Sequence, residues 1–309
     1  MDKSFKDAPV NFSEIERFVV SDKNEIIKTI LKSDKCYFYD TCAFRNHAMV
    51  NDKEALLRYL KQNSAVVILT RGILMELCSG NGLLWKEHIE YIGDMHQHGI
   101  KMVVMYEEYV AEILKVCFCD MGKVNAMLSK AVCYARQKAG SVEYTLRKLP
   151  DLRKDILIKY AVQDGSLAER LFNEVRKNKQ AGDNLGEELI AICLHMLSNI
   201  KSATDYKYRI LTDDRKAISI LSKAKDNSEQ YAGQKSMAII TTAKLCQLMK
   251  KEGIFEDEKQ VEDIITAGRE GNVIKVICSE MYELQANEKK MTMAEFAGKI
   301  MRDEVKVYC

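Results

Sequence analysis

The chain of 309 residues holds only 2 Pro and 15 Gly. That scarcity excludes proline-rich or glycine-rich flexible linkers and puts any domain boundary inside helical or tightly packed sequence. Long apolar runs are missing as well: the strongest, "AVVIL" and "KMVVMY", are far too short to span a bilayer, so no membrane partner is expected. The opening stretch "MDKSFKDAPVNFSEIERF" mixes acids with bases around no apolar centre, which argues against a secretory signal and for a cytoplasmic protein. An excess of one charge is lacking too, with 47 Lys and Arg against 45 Asp and Glu. The 10 Cys are scattered, and Cys117 and Cys119 in "VCFCD" stand one residue apart. Zinc knuckles space their thiols two to four residues apart, so these read as buried thiols. His96 and His98 in "MHQHG" do not share a helix face and read as a surface turn. What remains, 47% hydrophobic and 30% charged, is an ordinary globular composition with a full core.

The apolar runs alternate with helical patterns. Helices are expected near "NFSEIERFVV" and "NEIIKTILK", then the strand "CYFY", the helix "DKEALLRYLKQN" and the strand "AVVIL". "TRGILMELCSG" is a helix with Thr70 as its N-cap, "WKEHIEYIGDMHQHG" stops at Gly99, and "KMVVMY" is a third strand. From residue 107 to 199 only helical patterns occur. "YKYRIL" and "SMAIIT" then return as strands, each followed by a helix. The expected architecture is α/β: an open parallel sheet of about five strands with helices on both faces, and a helical block inserted between the third and fourth strands. The corresponding segments are a helical lead-in (1–35), the first part of the α/β domain (36–106), the insertion (107–181), the second part of the domain (182–255) and a C-terminal helical extension (256–309).

In such a sheet the carboxyl ends of all strands face one edge. Asp40 after "CYFY" and the pair Asp213 and Asp214 after "YRILT" therefore converge there. Each alone has an ordinary explanation as a helix cap. Glu76 is the single acid among Ile73, Leu74, Met75 and Leu77, and burial would require it to be paired, protonated or bound to a cation. "GDNLGEELIAICLHM" sets Asp183 and Glu187 four residues apart on one face. With no base evident beside these acids, a hard divalent cation such as Mg²⁺ or Mn²⁺ is the economical way to hold several carboxylates charged together, and such ions suit phosphoryl chemistry.

These stretches resemble the PIN-domain nucleases. "YFYDTCAF" is similar to that family's opening strand with its Asp followed by Thr or Ser. "ILTRGILMELCSG" is similar to its second strand and the helix carrying Glu, and "GEELIAICLHMLSNIKSATDYKYRILTDDRKA" to the third acid and the strand ending Thr, any residue, Asp. The likeness covers roughly 34–105 and 182–252. It implies a metal-dependent nuclease, most readily a ribonuclease, with Asp40, Glu76, Glu187 and Asp214 as catalytic metal ligands and Thr41 and Thr212 supporting them through hydroxyl hydrogen bonds. Asp183 and Asp213 stand beside them as further candidate ligands. The sequence departs from the family at Cys42, where Asn is usual, and at Glu187, where Asp is common and Glu188 competes. A Cys42 nucleophile is not expected, because no His lies close by to activate it.

A nucleic-acid substrate calls for a basic surface. Residues 120–180 hold 13 Lys or Arg against 7 Asp or Glu, a net +6, whereas 256–309 hold 8 against 12, a net −4. "RQK", "LRKLPDLRKD" and "EVRKNKQ" place Arg147, Lys148, Arg153, Lys154, Arg176, Lys177 and Lys179 as candidates to follow a phosphate backbone, or as solvated helix faces. The tail is expected to pack Ile264, Ile265, Ile277 and Tyr282 on the core and to complement the basic insertion. The rival readings are a non-catalytic interaction protein on the same fold, docking a protein partner or a second copy through the insertion or tail, and a structure-specific DNA nuclease.

Overall fold

Five short runs rich in aromatic and branched residues form the main sheet: β1 (Cys36–Tyr39), β2 (Val66–Thr70), β3 (Lys101–Met105), β4 (Tyr208–Leu211) and β5 (Met237–Ile240). All pair in parallel, in the order β3-β2-β1-β4-β5. β1 and β2 are buried along their whole length, as strands covered by helices on both faces must be. The structure, a computed structural model, describes residues 8–159, 163–179, 185–233, 235–281 and 283–308.

The helices in chain order are α1 (Ser13–Glu16), α2 (Lys23–Lys32), α3 (Thr41–Ala48), α4 (Glu54–Gln62), α5 (Arg71–Glu76) and α6 (Lys86–Gln97). The insertion supplies α7 (Tyr109–Phe118), α8 (Met121–Ala135), α9 (Ser141–Lys148), α10 (Pro150–Leu157) and α11 (Leu167–Lys177), and α12 (Leu185–Leu197) opens the second part of the α/β unit. α13 (Arg215–Ala232) and α14 (Thr242–Lys251) complete the α/β unit. The chain runs outward from β1 through β2 to β3, then returns after the insertion to β4 on the other side of β1. The sheet therefore changes direction between β1 and β4, and in open α/β folds the crevice at such a switch point, outside the carboxyl ends of the strands, is where ligands bind.

The tail corrects the expectation of an all-helical extension. After α15 (Glu258–Thr266), β6 (Val273–Glu280) pairs antiparallel with β7 (Asn287–Thr292) and, beyond α16 (Met293–Met301), with β8 (Val305–Val307). "VIKVIC" turns Ile274, Val276 and Cys278 inward and leaves Val273 and Ile277 on the solvent face, a period of two that overrides the surrounding helix-forming charge. Ile264 and Ile265 are buried, Ile277 is exposed, and Tyr282 lies outside the described residues. The tail's ion pairs outside itself run to Arg58, Asp213, Arg215 and Lys250, and among the described residues none reaches the insertion. Among the described residues no helix is long and apolar enough to cross a membrane. Cys117 and Cys119 are exposed rather than buried.

Candidate active site

Asp40 ends β1 and is the N-cap of α3, its Oδ1 accepting the Thr41 amide at 2.7 Å. Capping accounts for that oxygen alone. Oδ2 accepts from the Cys42 thiol at 2.9 Å and the Thr212 hydroxyl at 2.8 Å. Thr212, at the end of β4, in turn accepts the Asp214 amide at 3.1 Å, so one hydroxyl ties the two strands across the switch point. Asp214 caps α13, with the Lys216 and Ala217 amides on its Oδ1 at 2.6 and 3.4 Å. Thr41 donates its hydroxyl to Glu76 Oε2 at 2.8 Å. The Asp40 and Glu76 carboxylates are thus bonded to the same threonine.

Glu187 reaches this group from α12. Gly186 makes the approach possible, because a Cβ there would lie 2.6 Å from Ile73 Cδ1 and 2.8 Å from Glu76 Oε2. Burial raises the Glu187 carboxyl to about 8, with the charges of Asp40, Glu76 and Asp214 adding to the rise. Burial likewise raises Asp40 against the bonds from Cys42, Thr212 and Thr41, and Glu76 adds to the rise. Glu187 therefore feels the charges of three acids held by other elements. The Cys42 thiol is driven well above its ordinary range by burial and by Asp40, which makes it a donor to that carboxylate and not a nucleophile.

The neighbouring acids have other work. Asp213 accepts from the Thr242 amide at 2.8 Å and hydroxyl at 2.6 Å, and pairs with Arg269 of the tail at 2.9 Å. Burial pushes its carboxyl up, but Arg269 and the Thr242 bonds more than offset that and hold it below the usual value. Since Thr242 gives its proton to Asp213, it accepts from His47 Nε2 at 3.1 Å, and His47 Nδ1 then accepts from the Tyr39 hydroxyl at 3.0 Å. Burial keeps that imidazole neutral, with its pKa lowered to about 4. Gly268, at φ +67°, lets the tail pass Asn46 where a side chain would collide. Glu188 is buried and accepts the Gln137 and Val142 amides at 2.6 and 3.0 Å, which fixes the start of α9. Asp183 lies outside the described residues.

Several groups here were not legible locally. Lys179 pairs with Glu76, and Arg45 donates to the Glu76 carbonyl at 2.5 Å. Thr70 is the N-cap of α5 by position, but its side chain makes no capping bond. Buried Glu107 instead accepts the Gly72 amide at 2.7 Å. Of the basic candidates, Arg176 is buried and holds Glu107 at 2.5 Å and Glu108 at 2.8 Å, which removes it from the surface. Lys177 pairs with Glu174, Lys148 donates to Asn178, and Lys154 is exposed.

For Mg²⁺ or Mn²⁺ the donor chemistry fits: hard carboxylate oxygens, partly desolvated and mutually repelling. Among the described residues, no three Asp, Glu, His or Cys side chains stand close enough together to grip one ion. Glu76 Oε1 is engaged by the Lys179 ammonium, a cation already serving one of these carboxylates. The fold and site define an open α/β protein with buried and half-buried acids at its switch point. No family model, curated protein or solved structure matches the chain.

Proposed function

We propose that the chain is a divalent-metal-dependent phosphodiesterase of nucleic acid, most readily a ribonuclease related to the PIN-domain family. The observation that carries the reading is the linked placement of Asp40, Glu76, Glu187 and Asp214 at the switch point, through Thr41, Thr212 and the close approach at Gly186. A bound Mg²⁺ or Mn²⁺ would neutralise these acids and lower the pKa of an attacking water. The chain's own part is orientation. Cys42 and Thr212 fix the Asp40 carboxylate, Thr41 fixes Glu76, and Glu187 holds a proton at neutral pH until a cation competes for its oxygens.

The Lys179–Glu76 pair favours a second reading, a non-catalytic binding protein on the same frame whose internal ammonium replaces a metal. Cleavage of RNA, single-stranded DNA and forked DNA by wild type, Asp40→Asn and Glu187→Gln separates these. RNA cleavage that needs Mg²⁺ or Mn²⁺ and disappears in both variants is the expected result. Preference for forked DNA would make it a DNA nuclease, and cleavage undiminished in both variants would end the metal mechanism. Glu187→Gln is the cleaner variant, because Asn at position 40 keeps only one acceptor oxygen for the Thr41 amide, the Cys42 thiol and the Thr212 hydroxyl that ties it to the end of β4.

A further inference from the structure

The insertion gathers three guanidiniums on one carboxylate. Glu143, on α9, has a side chain only 9% exposed and accepts from Arg136 Nη1 at 2.8 Å, Arg147 Nε at 2.8 Å and Arg153 Nη1 at 3.4 Å. Burial raises the Glu143 carboxyl, and Arg147, Arg136 and Arg153 together overcome this and leave it below its ordinary value. The cluster therefore carries three positive charges against one. Each arginine gives a single nitrogen to Glu143 among the described residues, so the paired N–H groups that match an oxyanion remain uncommitted. The side chains are 29%, 60% and 42% exposed, open enough to meet a ligand while the buried carboxylate fixes their bases. Three guanidiniums on one carboxylate leave this patch with a net positive charge that a ligand anion can share.

Position gives that charge a direction. The Val142 amide, one residue before Glu143, is bonded to Glu188 of α12, the residue after Glu187. We propose that Arg136, Arg147 and Arg153, organised by Glu143, bind a phosphodiester group of single-stranded RNA. The choice of RNA rests on the function proposed above. A single strand is favoured because its backbone can bend between this cluster and the acids at the switch point, whereas a duplex is stiff over tens of base pairs.

The test is binding of a short oligouridylate by the full chain at rising salt, with EDTA present so that no cleavage intervenes. Arg147→Ala should weaken binding several-fold at low salt, and Arg147→Ala with Arg153→Ala further. Each removal should make the slope of log affinity against log salt shallower by about 0.7. Arg147→Lys should restore the slope, since it keeps the charge. Circular dichroism identical to wild type confirms the fold. A folded double variant with wild-type affinity and slope would overturn the site, and equal binding of duplex RNA would overturn its single-strand character. Loss of binding in the variants with no cleavage by wild type would leave the anion site standing and remove the nuclease reading. Cleavage by wild type with an unchanged slope would do the reverse.

Discussion

The insertion and the edge of the sheet both draw carboxylates out of water, and they treat them in opposite ways. In the insertion, Glu107 is answered by Arg176 and Glu143 by three arginines. At the sheet edge, Asp40 and Glu187 have no ion-pair partner among the described residues, and burial together with neighbouring acids raises both. Asp213, one residue from Asp214, follows the insertion's pattern through Arg269. The fold can therefore supply guanidiniums to buried acids, and among the described residues it gives none to Asp40 or Glu187. Unanswered carboxylates are costly to bury, and under the proposed function a bound cation would offset that cost.

The comparison breaks most severely in the insertion. Arg176→Met leaves Glu107 buried without its counter-ion and should destabilise the fold by about 3–5 kcal/mol, read from urea unfolding. A loss below about 1 kcal/mol would mean that the pair is not the anchor of this region. At the sheet edge the same kind of change should act the other way. Folded Glu187 keeps its proton up to about 8, against an ordinary value of 4.5. Between those values the unfolded chain has given up a proton that the folded chain retains, so without divalent ions stability falls as pH rises through that window and levels off above it. Glu187→Gln removes this penalty. Thermal unfolding in EDTA should show the variant more stable than wild type at pH 8 by on the order of a few kcal/mol at most, with the gap closing towards pH 4. Parallel curves for the two proteins would show that Glu187 is not held in this way.

Smaller effects sharpen the boundary between the two treatments. Tyr39→Phe removes the hydroxyl that donates to His47 Nδ1 and should cost about 1–3 kcal/mol. Its pH profile should stay parallel to wild type near neutrality, because His47 is neutral there in both. A new stability transition near pH 6 would show that the imidazole charges once the phenol is gone.

Much of this frame was legible in the sequence, because the five core strands are apolar runs bounded by caps and turns. The acids after β1 and β4, and Glu76 alone in its apolar helix, follow from the same local patterns. The partners do not. Lys179 reaches Glu76 across 103 positions, and Arg269 reaches Asp213 from the tail. Glu107 in place of Thr70 as the cap of α5 depends on how the insertion folds back. β7 escaped for another reason: "NEKKMT" holds one apolar residue, and only pairing with β6 makes it a strand.

The most direct test of the central claim is thermal unfolding with and without Mg²⁺ or Mn²⁺ at pH 8, for wild type and for Asp40→Asn combined with Glu187→Gln. If the unanswered carboxylates form a cation site, the wild-type Tm rises with ion concentration and saturates, while the double variant, folded by circular dichroism, does not respond. A wild-type Tm indifferent to both ions, or an equal rise in the double variant, would contradict the account.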